Sequence, residues 1–355
     1  MANNETPRLF SGAWWCRDRF EERADYLVRR ADMLKSAREF FDRSGYVEVE
    51  TPALQVCPGM EPHLNTFVTS LYDPDGDYRE LFLHTSPEFA MKKLLAAGMQ
   101  RIFQFARVFR NGERSTKNHP EFTMLEWYRV DADWRTIAEM AEELVRAVCG
   151  PVARRGNFVC NVAGPWEYLS VAEAVERSTG IDLLQTTQNP LDPDKQALRL
   201  AAEEIGVRTI DSDTWEDVFF RIFLERVEPG LGLEAPTVLH SYPASMAALA
   251  RLSPEDPRVS ERFEIFVCGL ELANGYSELT DIDEHLARFT ATAEQRIAAG
   301  RDPIPVDEDF LAAVQSGIPE SAGIALGFDR LVMLATGALR IDDVLWAPVV
   351  GPTIS

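Results

Sequence analysis

The alternation of apolar and polar positions divides the chain into helical and extended segments. Apolar side chains recur at helical spacing over residues 25–44, and Gly45 suits the left-handed turn that follows a helix. Further helices are predicted at 88–98, 134–148, 193–205, 214–227 and 284–299. Strands are predicted at 79–86, 101–110, 121–130 and 262–280. Residues 322–336 predict a strand, a glycine turn and a helix that ends at Gly337. Hairpins mixed with helices indicate an α+β fold, an antiparallel sheet flanked by helices.

Three regions need separate interpretation. Residues 1–24 are polar and aromatic without a clear period, and we interpret them as an N-terminal extension. Residues 150–235 are interpreted as a helical insertion beside the main sheet of a single catalytic domain spanning 1–355. Before the helix at 88–98, Ser86 is predicted to act as the cap and Pro87 to fill the first helical position.

Composition narrows the class of protein. With 355 residues and 46% apolar content, the chain is long enough for a full hydrophobic core. A formal net charge of −21 argues against a large nucleic-acid footprint. The five cysteines are scattered, which favours reduced, mostly buried thiols. The sequence shows neither a secretory signal nor a span long enough for a bilayer, so we expect a soluble, cytoplasmic protein without a membrane partner.

The hairpin at 101–130 places unusual residues on one strand face. Because alternate residues of a strand share a face, one face is predicted to carry Phe122, Met124, Glu126 and Tyr128. Arg110 on the first strand is in phase with Gln104 and Ala106. Such a face forms either the floor of a ligand-binding site or a solvent-exposed surface with ion pairs. The hairpin alone leaves both interpretations open.

The stretch 262–280 sets acidic residues in an otherwise apolar context. Buried carboxylates are costly unless they are paired or bind a metal. Glu264 and Glu271 are candidate ligands for Mg²⁺, which proteins hold with one or two carboxylates plus substrate phosphates. Asn274, Tyr276 and Glu278 share one parity. Pairing of any one carboxylate with a nearby arginine is the alternative.

Several motifs stand in an ordered series. EVETP lies at 48–52, FRNGERSTKNHPEFTMLEWY at 109–128, and GIALGFDRLVML at 323–334. LHTSPEFAMKKLL and ELANGYSELTD lie between them. In this order the segments resemble motifs 1, 2 and 3 and two further signatures of the class II aminoacyl-tRNA synthetases, specifically the lysine branch. The resemblance runs from about residue 27 to the end, except for 150–235, and it implies a class II catalytic core that uses ATP and Mg²⁺ and forms a homodimer.

Within that branch the chain resembles a truncated group that transfers (R)-β-lysine to elongation factor P. Motif 1 begins within the first fifty residues, so the N-terminal anticodon-binding barrel of lysyl-tRNA synthetases is not expected, nor is a tRNA partner. Ala325 stands where those synthetases usually have glycine and the truncated group has alanine. The resemblance therefore implies ATP-dependent formation of an aminoacyl-adenylate and its transfer to a lysine side chain of elongation factor P.

The resemblance also assigns roles to individual residues. Arg110 matches the arginine that bridges the α-phosphate and the substrate carboxylate, and Arg330 matches the one near the adenine and γ-phosphate. Glu264 and Glu271 match metal ligands, with Glu271 also among the ATP contacts. The implied remaining contacts to ATP are Glu113, Asn118, His119 and Phe122. The implied contacts to the diamine substrate are Ser86, Glu88, Glu126, Tyr128, Asn274, Tyr276, Glu278 and Ala325.

The motif 2 loop departs from the family pattern. Gly112 stands two positions after Arg110, where the family usually has an acidic residue, and Glu113 follows it. The chain reads Asn118-His119 where the family tends to have the reverse order. Two other functions stay open at this point: activation of L-lysine for another acceptor, and ligand binding by a non-catalytic regulator.

Overall fold

The computed structural model describes residues 13–190 and 192–349, so residues 1–12 of the predicted N-terminal extension lie outside the described residues. The helices are α1 Arg17–Glu21, α2 Ala24–Arg43, α3 Glu88–Ala96, α4 Trp134–Cys149, α5 Val171–Thr179, α6 Lys195–Glu204, α7 Trp215–Ile222, α8 Ile282–Ala298, α9 Glu308–Gly317, α10 Phe328–Thr336 and α11 Ile341–Val344. The strands are β1 Val47–Glu48, β2 Leu54–Gln55, β3 Phe67–Tyr72, β4 Tyr78–Leu83, β5 Arg101–Phe109, β6 Glu121–Val130, β7 Val152–Arg155, β8 Phe158–Asn161, β9 Glu167–Ser170, β10 Thr237–His240, β11 Arg262–Val267, β12 Leu270–Ser277 and β13 Ser321–Gly327.

One large sheet organises the described chain. Its eight strands run in the order β1-β5-β6-β13-β12-β11-β10-β9. Neighbours are antiparallel except at the two edges, where β1 pairs with β5 and β9 with β10 in parallel. β2, β4 and β3 form a small separate sheet, and β7 and β8 form a hairpin. The predicted α+β fold with a largely antiparallel sheet is confirmed.

The core lies on one face of this sheet. Apolar residues of α2, α4 and α10 pack against alternate residues of the central strands, as Phe41, Leu144 and Leu331 do against Trp127. Phe41 stacks on Phe103 with ring centroids 4.3 Å apart. Because the side chains of β6 alternate, Glu126 and Tyr128 point to the opposite face. That second face is therefore available for a binding site.

The predicted elements agree with the structure in type and differ by a few residues at their ends. The start of α3 is one difference: Pro87, not Ser86, is the capping residue. Ser86 still accepts a hydrogen bond from the backbone N–H of Glu88, at 3.1 Å. The prediction of mostly buried thiols is also confirmed, since four of the five cysteines are buried and the described residues contain no disulfide.

Residues 150–235 contain helices α5, α6 and α7, which share an apolar cluster that includes Trp215 and Phe219. The chain after α7 continues as a π-helical turn, Phe223–Val227. The same region supplies the β7–β8 hairpin and β9, which forms one edge of the main sheet. Among the described residues, no helix is both long and apolar enough to cross a membrane.

Candidate active site

A cavity of about 310 Å³ lies on the polar face of the main sheet. Its floor comes from β6, β12 and β13, and its walls come from the start of α3, the loop after β5 and the start of α10. All but one of the residues predicted for the site line it: Ser86, Glu88, Arg110, Glu113, Asn118, His119, Phe122, Glu126, Tyr128, Glu271, Asn274, Tyr276, Glu278, Ala325 and Arg330. The exception is Glu264.

Glu126 lies at the bottom of the cavity and is 1% exposed. Tyr128 donates a hydrogen bond to Glu126 Oε1 at 2.6 Å, and Ser86 donates one to Oε2 at 2.7 Å. The pKa of Glu126 is raised to about 8, mainly by burial and also by the nearby Glu88 carboxylate, while the two hydrogen bonds act in the opposite sense. Such a carboxylate lacks a cation of its own, so a ligand ammonium would stabilise it.

Two further carboxylates, Glu88 and Glu278, share a lysine. Lys92 Nζ lies 2.6 Å from Glu88 Oε1 and forms an ion pair with Glu278. Tyr276 donates a hydrogen bond to Glu88. Neither carboxylate oxygen of Glu278 has a hydrogen bond of good geometry within the described residues. Burial raises the pKa of Glu278, and Lys92 acts in the opposite sense. Since Lys92 pairs with Oε2, Oε1 of Glu278 is the oxygen open to a donor in the cavity.

Strand β13 fits closely beneath these groups. Gly323 lies opposite Tyr128 in the sheet, and a Cβ atom there would be 2.3 Å from the Tyr128 ring and 2.8 Å from Glu278 Oε1. Ala325 lies opposite Glu126 on one side and Asn274 on the other, so its methyl group lies between them. Small residues in β13 therefore make room for the polar side chains of β6 and β12.

Arg110 lies at the other end of the cavity, just after β5. Its guanidinium lies over the Phe122 ring, 5.2 Å from the centroid, and its Nε is buried without a hydrogen-bond partner among the described residues. Glu61 is close enough for Arg110 to lower its pKa, although burial is the larger effect and the net pKa is raised. An arginine held flat on an aromatic ring with unused donors is suited to phosphate or carboxylate oxygens.

Arg330 is held from three sides in the first turn of α10. It donates to the Glu271 carbonyl at 2.7 Å and to Asn118 Oδ1 at 2.8 Å, and it lies 3.6 Å from the Glu271 carboxylate. The helix itself is anchored by Asp329, which pairs with Arg30 and accepts a hydrogen bond from the Thr123 N–H at 2.8 Å. The predicted position of Arg330 in a first helical turn is thus confirmed, and Asn118 has a defined contact.

The two candidate metal ligands differ in position. Glu271 lines the cavity, whereas Glu264 lies behind it and binds Arg262 at 2.8 Å. The pKa of Glu264 is raised to about 7, mainly by burial and also by the charge of Glu271. Two carboxylates that repel each other fit a divalent cation completed by phosphate oxygens. The described residues contain no cluster of three or more side chains suited to a metal.

The loop after β5 explains the departures from the family pattern. Gly112 has φ +83°, a conformation that strains other residues, so a side chain is disfavoured there and the carboxylate of the next residue, Glu113, faces the cavity. His119 lines the cavity edge, but its ring contacts backbone. Its Nδ1 lies 2.6 Å from the Glu121 carbonyl oxygen and 3.2 Å from the Glu121 nitrogen, and its Nε2 lies 3.3 Å from the Val349 nitrogen.

Sequence reasoning missed Glu61 and Lys92. Glu61 follows a proline-glycine loop without any period, and nothing in its spacing signals a site. Its carboxylate accepts a hydrogen bond from the Thr85 hydroxyl at 3.4 Å. The same carboxylate lies close to Gly59, where an added Cβ atom would be 2.7 Å from Glu61 Oε2. Lys92 lies four residues after Glu88 in α3, and this spacing alone indicates an ion pair.

Comparison with known proteins places the chain in a family. A family model described as tRNA synthetases class II (D, K and N) matches residues 14–350. Curated proteins named "Elongation factor P--(R)-beta-lysine ligase" are similar over most of their length. That of Proteus mirabilis is 41% identical, covering 91% of this chain and 94% of its own. That of Salmonella arizonae is 42% identical, covering 90% and 93%, and that of Pectobacterium atrosepticum is 41% identical, covering 90% and 93%. The chain therefore belongs to the class II tRNA synthetase family and groups with the elongation factor P ligases within it.

Proposed function

We propose that this protein activates (R)-β-lysine with ATP and transfers it to a lysine side chain of elongation factor P in the cytoplasm. One observation carries the proposal: a single cavity holds Glu88, Glu126 and Glu278 at one end and Arg110 at the other. The acidic end suits a ligand with two ammonium groups. The basic end suits the carboxylate of that ligand and the phosphates of ATP.

Activation joins the two ends of the cavity. A carboxylate oxygen of the diamine attacks the α-phosphorus, the bond from that phosphorus to the bridging oxygen breaks, and pyrophosphate leaves. The nucleophile is already ionised, so no general base is needed. Arg110 lies where it can hold both the attacking carboxylate and the α-phosphate, and Arg330 lies where it can hold the nucleotide. Positioning and charge stabilisation carry the step.

Transfer completes the reaction. The acceptor amine attacks the carbonyl carbon of the adenylate, AMP leaves, and an amide forms. The amine must first lose a proton, since an ordinary lysine has a pKa near 10.4. Glu126 and Glu278, engaged with the ammonium groups of the diamine, keep the adenylate in place during this step.

Magnesium would be held by Glu271, with Glu264 behind it, together with phosphate oxygens of ATP. Bound there, it would offset the charge of the triphosphate. Arg330 shares Glu271 with this site and fixes the orientation of that carboxylate.

ATP–pyrophosphate exchange tests the activation step. Purified protein is incubated with Mg²⁺, ATP, labelled pyrophosphate and either (R)-β-lysine or L-lysine, and elongation factor P is then added and its intact mass measured. We expect faster exchange with (R)-β-lysine and a mass increase of one lysyl residue on elongation factor P. Replacement of Arg110 by alanine should abolish exchange, while Arg107→Ala, three residues earlier in β5 and outside the cavity, should not.

Each alternative has its own outcome. Clear preference for L-lysine would favour activation of ordinary lysine for another acceptor, and formation of lysyl-tRNA would point to tRNA charging. Failure to form an adenylate with either lysine would favour a non-catalytic regulator.

We also propose a homodimer in which each copy carries one catalytic domain, with 150–235 as an insertion. The small sheet supports the dimer, because one of its faces exposes apolar side chains: Val68 is 57%, Tyr72 71% and Tyr78 66% exposed. Several exposed apolar side chains on one face of a small sheet favour an interface there.

A further inference from the structure

Lys92 is a fully buried cation next to the cavity, and it does not line the cavity. Its side chain is 2% exposed, and the side chain of Glu278, with which it pairs, is 1% exposed. Its ammonium also lies 5.3 Å from the centre of the Tyr276 ring. Lys92 therefore stands behind the wall that Glu88, Tyr276 and Glu278 present to the ligand.

The charges around Lys92 can be counted from every element that packs against it. α3 contributes Glu88, the end of β12 contributes Tyr276 and Glu278, β6 contributes Glu126 and Tyr128, and α8 contributes His285. Burial lowers the pKa of His285 to about 4, so that it is neutral at physiological pH. Counted with all three carboxylates ionised, as two bound ammonium groups would favour, these carboxylates and the one lysine ammonium carry a formal net charge of −2, which balances the charge of two ligand ammonium groups.

We propose that Lys92 is a positioning residue for the diamine: from behind the cavity its ammonium pairs with Glu88 and Glu278 and holds both carboxylates in place, so that in the complex a formal charge of −2 meets the two ammonium groups of the ligand. This inference rests on the proposed function, because it takes the ligand to be a diamine. Lys92 itself does not touch the ligand.

The physical reason is the cost of buried charge. A buried carboxylate without a partner takes up a proton and then no longer attracts an ammonium group. Glu88 has Lys92 and Tyr276 as partners, whereas the carboxylate of Glu278 has Lys92 as its ion-pair partner in the described part of the chain. Burial lowers the pKa of Lys92, but Glu278 and Glu88 outweigh burial and raise it, so the lysine remains charged.

The test compares Lys92→Met with two matched variants. Lys93→Met removes the neighbouring lysine. Lys93 lies outside the cavity, and its Nζ atom is 2.8 Å from Asp307 Oδ2. Lys92→Arg keeps the charge. For each protein the Michaelis constants for (R)-β-lysine and for ATP are measured by ATP–pyrophosphate exchange between about pH 5.5 and about pH 9, and folding is checked by thermal melting.

We expect Lys92→Met to raise the Michaelis constant for the diamine about tenfold or more and to leave that for ATP within about twofold. The acidic limb of kcat/KM for the diamine should move to higher pH by about one unit, because Glu278 loses the cation that lowers its pKa. Lys92→Arg should return the limb towards its wild-type position. Lys93→Met should match the wild type.

Three results would overturn the inference: an unchanged Michaelis constant for the diamine, a parallel rise for ATP, or an acidic limb that does not move. If Lys92→Met does not fold, Glu88→Gln is compared with Glu88→Gln/Lys92→Met. Both of these variants lack the Glu88 carboxylate, so loss of Lys92 leaves one buried charge fewer without a partner. The limb of the double variant should lie at higher pH than that of Glu88→Gln, and coincident limbs would refute the role of Lys92. Wild-type protein that exchanges with neither lysine isomer would instead refute the proposed function.

Discussion

Glu126 is a buried carboxylate whose pKa is raised to about 8, first by burial and then by Glu88. The folded protein therefore keeps a proton that the unfolded chain, with an ordinary value of 4.5, has already released. Since the native state binds the extra proton, stability falls as the pH rises between these two values. A glutamine at position 126 stays neutral at every pH. We therefore predict that, without ligand, the Tm of Glu126→Gln minus the Tm of the wild type increases as the pH rises from about 5 to about 8.

Thermal melting across this pH range measures the difference. Glu121→Gln is the control, since Glu121 lies at the start of the same strand and is only partly buried. The same Glu126 substitution should raise the Michaelis constant for the diamine, because the carboxylate partner of an ammonium group is gone. A Tm difference between Glu126→Gln and wild type that stays constant with pH would contradict the assignment.

At the scale of single elements, strand parity carried most of the prediction of the site. Alternation placed Phe122, Glu126 and Tyr128 on one face of β6, and the structure has them there. Residues outside regular strands were harder to predict. Glu61 lies in a loop whose path depends on contacts with Thr85 and Arg110, and such tertiary contacts leave no periodic signal in a sequence.

Glu264 shows a second reason why the sequence predicted the site incompletely. Its register opposite Asn274 puts it on the cavity face of β11. However, Arg262 and the neighbouring Tyr242 cover that carboxylate. Strand parity predicts which face of the sheet a side chain lies on. It does not predict whether a neighbouring side chain covers that residue, and here Glu271 lines the cavity whereas Glu264 does not.

Strand β13 is the element where a small change should have a large effect. A Cβ atom at Gly323 would come within 2.4 Å of two Tyr128 ring atoms. We predict that Gly323→Ala displaces Tyr128 from Glu126, destabilises the protein by about 1–3 kcal/mol and raises the Michaelis constant for the diamine. Urea unfolding and ATP–pyrophosphate exchange measure the two effects. Gly230→Ala, with open space at its Cβ position, should be close to neutral, and equal behaviour of the two variants would contradict the packing argument.

The whole molecule combines an acidic exterior with a site that carries its own cations. The net charge of −21 left nucleic-acid binding without support, yet Arg110, Arg330 and Lys92 lie in or beside one cavity. Overall charge therefore describes the surface of this protein and does not describe its site. Most of the large apolar side chains lie in the core, but some are exposed, including several on the small sheet.

That surface leads to a prediction about assembly. Val68, Tyr72 and Tyr78 share one face of the small sheet, and the two tyrosine rings lie 6.0 Å apart. If this face joins two copies, each copy removes apolar area from water and the dimer is favoured. We predict that the wild type sediments as a dimer at micromolar concentration and that Val68→Glu/Tyr78→Glu sediments as a monomer. Leu224→Glu, on an equally exposed leucine of the 150–235 region, should leave the dimer intact, and a wild-type monomer or a dimeric double variant would refute this interface.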